Sequence, residues 1–339
     1  MTDDVLSLRK QEQLDGLRLS LYSDGTHIDE LVFGEAKSRL SDLLERKEYD
    51  GERVNLVIVR EISDPAKSAD DISKVLGYRP HLQNLDLITS RSFFSSEGVK
   101  GDFLFCANRV FAETSYVGPL LLHEFAHEMD AGNVHPGVRR HSFGLKMDPG
   151  FETLSYYNQN MFKVFIDYLT APIQAPLTIK SDILANEKAM KLSSPGYMTP
   201  YLHAGSTEYR KFRERDQSRW DELRQKFEDI SDVLGYDVLR GMQLAAHTKT
   251  LHHFMQYSVP FKRFETAPPS IIVENIQKSV PEKMLKHAKE VENLYSGLPG
   301  ALDVATASKL YDGAQRIIER VFEDDGLKFP FVYEPRWGR

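Results

Sequence analysis

The sequence has one cysteine, no long apolar run and no excess of positive charge, and each shortage excludes a class of protein. Cys106 stands alone among 339 residues, so an internal disulfide is excluded, and its neighbours "FLFCANRVF" predict a buried strand in which the thiol packs as a small apolar group. No stretch of 18 apolar residues occurs, which argues against a membrane-spanning helix. Acidic residues outnumber basic ones by 50 to 43, so we do not expect nucleic acid as a main partner.

The first residues, "MTDDVLSLRKQEQL", lack the basic start and apolar run of a secretory signal peptide. We therefore expect a protein that is cytoplasmic where it is synthesised and that has no membrane partner. Export by a route that reads no signal peptide is compatible with the same residues. The composition, 41% hydrophobic and 27% charged, predicts an ordered globular chain that is long enough for one large unit or two domains.

Apolar periodicity predicts a mixed first half and a helical second half. In the first half, a helix over 28–44 precedes the strand "VNLVIVREI", and "NLDLITSRSF" and "DFLFCANRVF" predict further strands. We therefore predict an α+β fold, in which residues 1–150 form an α/β lobe and residues 151–339 form a helical lobe. The helices predicted in the second half, separated by prolines and glycines, span 151–169, 181–193, 207–234, 237–257, 270–296 and 301–323.

The run "LLLHEFAHEMD" at 120–130 carries the most specific chemical signal. It predicts an apolar helix on which His123 and His127 share a face and can offer imidazole nitrogens to one tetrahedral Zn²⁺. Glu124 can then take a proton from a water at the open metal position, as in H-E-x-x-H metallopeptidases. The alternative is a pair of ordinary core histidines, but a buried glutamate without a positive partner is costly and the run contains no Lys or Arg. The pattern favours a zinc site, with Asp130 holding a histidine ring by its other N–H.

A third protein ligand has to come from a later helix. Glu187 lies in the middle of an apolar stripe of "IKSDILANEKAMKL", between Ile183 and Met190, and a carboxylate there needs a cation. Glu208 and Glu152 each lie near a predicted helix start, where an acidic residue is ordinary. The residues favour Glu187 and leave Glu208 open.

The predicted helix that carries the H-E-x-x-H motif at 120–130, the motif helix, resembles that of the gluzincin metallopeptidases. This group includes the catalytic domain of anthrax lethal factor and the Mlc titration factor A peptidases. There, H-E-F-[A/G]-H is followed by two residues and Asp, as in "HEFAHEMD", and "KVFIDYL" at 163–169 is similar to the lethal factor segment before the glutamate ligand. The resemblance covers about residues 100–210. It implies a zincin-like domain, in which a small mixed sheet accompanies the active-site helix. The residues it assigns are the metal ligands His123 and His127, the general base Glu124 and a glutamate ligand near position 187.

The same families place a tyrosine seven residues before the glutamate ligand, where it donates to the oxyanion. Lys180 has that place before Glu187, whereas Tyr201 has it before Glu208, so this spacing favours Glu208. The polar sequence "YRKFRER" that follows Glu208 does not match the family and argues against it. We name Tyr201 as the oxyanion donor; with Glu187 as the ligand, Tyr197 or Tyr201 would have to reach the metal across a loop.

These features predict a zinc metalloendopeptidase of gluzincin type, which hydrolyses peptide bonds in a protein or peptide substrate with a metal-activated water. The alternative is a non-catalytic zinc-binding protein that binds or regulates a partner on a peptidase scaffold, because the helical half exceeds what hydrolysis needs. The resemblance to a toxin domain also admits an injected bacterial effector.

The remaining histidines have weaker signals. His247, His252 and His253 in "AAHTKTLHHF" are expected at the surface or the edge of the core of an amphipathic helix. His135 and His141 follow the motif helix and are expected to line the cleft.

Overall fold

In the computed structural model, the described residues are 6–60, 64–79, 90–95, 98–107, 114–131, 142–147, 159–217, 237–298 and 300–337, with isolated positions between them. The chain is a mixed α+β protein with a small mixed sheet and a helical C-terminal half, which confirms the predicted fold class; zincin-like identity stays a prediction. Two compact units are present. The first comprises Met1–Gly132 with Lys188–Tyr201, and the second comprises Asn133–Glu187 with Leu202–Arg339.

The first unit contains a five-stranded sheet and the helices beside it. Its elements are β1 Ser7–Leu14, β2 Leu17–Ser23, α1 Asp29–Glu45, β3 Arg53–Val59, α2 Pro65–Leu76, β4 Ser90–Ser95, β5 Gly98–Cys106, a 3₁₀ turn Thr114–Tyr116 and α3 Val117–Ala131. The strand order is β1-β2-β3-β5-β4, in which the inner strands β2, β3 and β5 are parallel and the outer strands β1 and β4 are antiparallel to their neighbours.

Strand β5 is buried on both of its faces. Leu104 and Cys106 pack on one face with Ile72 of α2, and the burial of Cys106 confirms the prediction for the lone thiol. On the opposite face, the ring of Phe103 meets the ring of Phe125 in α3 edge-on, with centroids 5.2 Å apart. Double-sided burial explains why β3 and β5 read as continuous apolar runs. The motif helix α3 therefore lies against one face of the sheet.

Most of the second unit is helical. The remaining elements are β6 Ser142–Met147, α4 Gln159–Leu192, α5 Pro195–Gln217, α6 Val238–Arg263, α7 Ser270–Ser279, α8 Glu282–Ser296, α9 Val304–Asp324 and β7 Phe331–Arg336. The end of α4 and the start of α5 belong to the first unit. Strands β6 and β7 pair antiparallel, and α6, α8 and α9 pack together around a core that includes Met255, Val291, Tyr295, Leu310 and Phe322. Among the described residues, no helix has both the length and the apolar character needed to cross a membrane.

Several predicted boundaries in the helical half are wrong. Helix α4 runs without a break through Pro172 and Pro176, where the sequence predicts an interruption. An interior proline costs about 3 kcal/mol, and we attribute the continuity to burial of the apolar stripe that includes Phe165 and Ile183. Helix α5 begins at Pro195, earlier than predicted, and the predicted helix 270–296 is two helices separated at Val280 and Pro281.

Candidate metal centre

Helix α3 presents two chemically different sides. Leu121, Phe125 and Glu128 recur at spacings of four and three and so share a side, which packs on the sheet through Phe125. At about 100° per residue, His123 and His127 fall on nearly the opposite side of the helix. The predicted helix and its shared histidine face are therefore confirmed.

The two motif histidines converge. The Nε2 atoms of His123 and His127 are 3.1 Å apart, and the two rings are nearly perpendicular, at 85°. Two nitrogens bound to one tetrahedral zinc at about 2.0–2.1 Å would be separated by about 3.3 Å, close to this distance. A single N–H···N hydrogen bond has a similar length, so a measurement of metal content is the decisive test.

The two histidines are a pair that could hold a metal ion. Both belong to the first unit, and imidazole nitrogens suit zinc, copper, iron and nickel, so the pair indicates a transition metal without naming which one.

Two further predicted site residues belong to the first unit. Glu124 directly follows His123 on α3, and both side chains are buried, at 5% exposure each. Tyr201 lies on α5, and the centroid of its ring is 5.2 Å from that of His123. The structure thus brings a phenol to the edge of the histidine pair, while the catalytic roles of Glu124 and Tyr201 stay predictions.

The two glutamates proposed as third ligand have different surroundings. Glu187 is buried on α4 as predicted, and its carboxylate lies 3.3 Å from Nε of Arg263, so a cation already faces it. Glu208 lies inside α5, which corrects the expected position near a helix start, and its side chain is 66% exposed and paired with Lys211 at 2.7 Å. Ligation by Glu187 stays a prediction. Glu152, His135, His141 and the side chain of Asp130 lie outside the described residues.

The histidines of α6 correct another expectation. His252 is fully buried rather than at the edge of the core, and its Nδ1 lies 2.9 Å from the hydroxyl of Tyr295. The ring of His253 stacks on Tyr209 with centroids 3.6 Å apart. Burial lowers the pKa of both histidines to about 3 and that of His247 to about 4, so all three are neutral at pH 7.

No protein-family model, curated protein or solved structure matches this chain. The gluzincin resemblance therefore depends on the residues of the motif helix and the segment after it, and membership of that group stays a prediction.

Proposed function

We propose that this chain is a zinc-dependent metallopeptidase that hydrolyses peptide bonds in a protein or peptide substrate. The observation that carries the proposal is the pair His123 and His127, whose Nε2 atoms lie 3.1 Å apart on one side of α3, directly beside Glu124. The third donor that the sequence favours is the carboxylate of Glu187. Three protein ligands leave one position of a tetrahedral zinc open, which is typical of catalytic rather than structural sites.

The chemistry proposed for the side chains is acid–base catalysis of amide hydrolysis. Bound zinc would act as a Lewis acid that lowers the pKa of water and polarises the substrate carbonyl. Glu124 accepts a proton from the attacking water as its oxygen bonds to the carbonyl carbon. The same carboxyl then gives the proton to the amide nitrogen as the C–N bond breaks. The hydroxyl of Tyr201 donates a hydrogen bond to the carbonyl oxygen as that oxygen becomes negative.

The sheet supports a peptide as the substrate. β4 is the outermost strand on its side of the described sheet, and it packs beside α3. An outer strand has backbone N–H and C=O groups that can pair with an added strand. An extended peptide can therefore hydrogen-bond along β4 beside the helix that carries His123 and Glu124.

Metal content and one isosteric substitution test the proposal. We expect about one zinc per purified chain, lost in His123→Ala. Glu124→Gln should keep zinc and the fold but reduce peptide hydrolysis by about 10²–10⁴-fold, because an amide cannot accept the proton of water. Glu208→Gln makes the same change at an exposed carboxylate and should hydrolyse peptides like wild type.

The outcomes separate the peptidase from the non-catalytic alternative. If wild-type protein neither contains zinc nor binds it on titration, both the peptidase and the zinc-binding regulator are rejected. If the protein binds zinc but Glu124→Gln hydrolyses peptides no more slowly than wild type, the peptidase is rejected and the zinc-binding regulator remains.

A further inference from the structure

A buried acid directly follows the second histidine of the motif. Glu128 is 4% exposed, and its Oε2 accepts a hydrogen bond of 2.5 Å from the hydroxyl of Tyr49, which is itself buried. Burying a carboxylate costs more than burying an apolar side chain of the same size. The sheet side of α3 is otherwise apolar at Leu121 and Phe125, so Glu128 is not needed to form that packing.

A glycine in strand β5 leaves room for the hydrogen-bonded pair of Tyr49 and Glu128. Gly101 of β5 lies under it: a Cβ at Gly101 would fall 2.8 Å from both carboxylate oxygens of Glu128 and 3.0 Å from the hydroxyl of Tyr49. Real Cβ atoms essentially never come within 2.8 Å of another atom, and 3.0 Å is tighter than most Cβ contacts, so a side chain at position 101 would force Glu128 to move. The ring of Tyr49 also packs near that of Phe125, with centroids 6.3 Å apart. The carboxylate and the phenol therefore occupy a space that exists because position 101 is glycine.

A fixed contact on the sheet side of α3 matters for the opposite side. Side-chain atoms lie about 5–6 Å from a helix axis, so a rotation of α3 by about 10° would move the Nε2 atoms of His123 and His127 by about 1 Å. Metal sites need their ligand atoms held within about 0.5 Å. Apolar contacts such as Phe103 with Phe125 are non-directional and resist a small rotation weakly, whereas a short hydrogen bond is directional.

We propose that Tyr49 and Glu128 are positioning residues for the metal ligands. Their hydrogen bond, seated on Gly101, fixes the rotation of α3 so that His123 and His127 converge. The inference rests on the zinc binding in the proposed function and does not depend on hydrolysis.

Zinc affinity, measured by competition with a chromophoric chelator, tests this role. Tyr49→Phe removes the donor and keeps the ring, and Glu128→Leu removes the acceptor; each should weaken zinc binding by about tenfold, at the lower end of the effect of outer partners of metal ligands. Glu128→Gln should bind zinc within about twofold of wild type, because its amide oxygen still accepts from Tyr49.

A matched control exists on the opposite face of the same strand. Tyr78 donates a hydrogen bond of 2.9 Å to Asp102 of β5, so Tyr78→Phe also deletes a tyrosine–carboxylate hydrogen bond, but away from α3. This variant should lower the melting temperature of the zinc-free protein without changing zinc affinity. In Tyr49→Phe, the visible spectrum of bound Co²⁺ should also change, which reports altered ligand geometry.

Zinc affinity and the Co²⁺ spectrum distinguish a positioning role from a purely structural one. Wild-type zinc affinity and an unchanged Co²⁺ spectrum in folded Tyr49→Phe would overturn the inference and leave the pair a purely structural contact. If Tyr49→Phe does not fold, the same two measurements on Glu128→Leu and Glu128→Gln decide. A wild-type protein that binds no zinc would overturn the proposed function itself, whereas one that binds zinc without hydrolysing peptides leaves this inference standing.

Discussion

Replacing Gly118 with alanine should destabilise the protein and disturb the surroundings of His123. Gly118 lies in the first turn of α3, where an added Cβ would overlap the hydroxyl oxygen of Tyr197 and lie 2.8 Å from Oε2 of Glu35. Tyr197 and Tyr201 are four residues apart on one face of α5, and Tyr201 is the residue whose ring lies beside His123. Any shift of Tyr197 that makes room for the methyl group therefore also moves the turn that carries Tyr201.

The magnitude follows from two opposing effects. Forcing a methyl group into an occupied space costs about 1–3 kcal/mol, while alanine in place of glycine in a helix returns up to about 1 kcal/mol. We expect Gly118→Ala to lose about 1–2 kcal/mol of the free energy of unfolding. The side chain of Glu35 is 36% exposed and can turn into solvent, so Tyr197 is the main obstacle. Its Cζ would lie 3.5 Å from the new Cβ, an ordinary contact, so the hydroxyl oxygen alone causes the overlap.

Urea unfolding of four variants measures this reasoning. Among the described residues, no atom outside the local backbone of α1 lies within 4 Å of a Cβ added at Gly34, so Gly34→Ala should stabilise the protein by about 0.5–1 kcal/mol. Tyr197→Phe removes the overlapping oxygen, and the double variant with Gly118→Ala should recover most of the lost stability. The explanation fails if Gly118→Ala is as stable as Gly34→Ala, or if Tyr197→Phe restores nothing.

Three further predictions concern the metal and the buried histidines. Glu187→Ala should lower zinc affinity steeply in a chelator competition and Glu208→Ala should not; the reverse outcome would make Glu208 the third ligand. Removing zinc with a chelator should lower the melting temperature, because metal at about 1,000 times its Kd stabilises by about 4 kcal/mol. Burial lowers the pKa of His252 from 6.5 to about 3, so only the unfolded chain binds that proton between these pH values. His252 should therefore contribute a fall of up to about 1.4 kcal/mol per pH unit in the free energy of unfolding below pH 6.5, and the fall should be less steep in His252→Gln, as measured by urea titrations at several pH values.

Elements with a strong local signal could be predicted from the sequence. Helix α3 and strands β3 and β5 have long apolar runs, and burial on both sides of the sheet is the physical cause of those runs. The N-terminal hairpin of β1 and β2 was missed, because outer strand β1 is largely solvent-facing and alternates weakly. The turn Asp15-Gly16 and the alternating leucines of β2 did carry a hairpin signal. The continuity of α4 through Pro172 and Pro176 was also beyond local rules, since its burial depends on distant parts of the chain.

The candidate site shows the same division between local and distant information. His123 and His127 converge because a helix places positions i and i+4 on one face, which is a property of the sequence spacing alone. The burial of Glu187 could likewise be predicted from its apolar stripe, but periodicity reports that a carboxylate is buried and not which cation it faces. In the folded chain that cation is the guanidinium of Arg263, 76 residues further on. A third ligand from a separate element is therefore a question of tertiary structure, which no spacing rule within the segment could have answered.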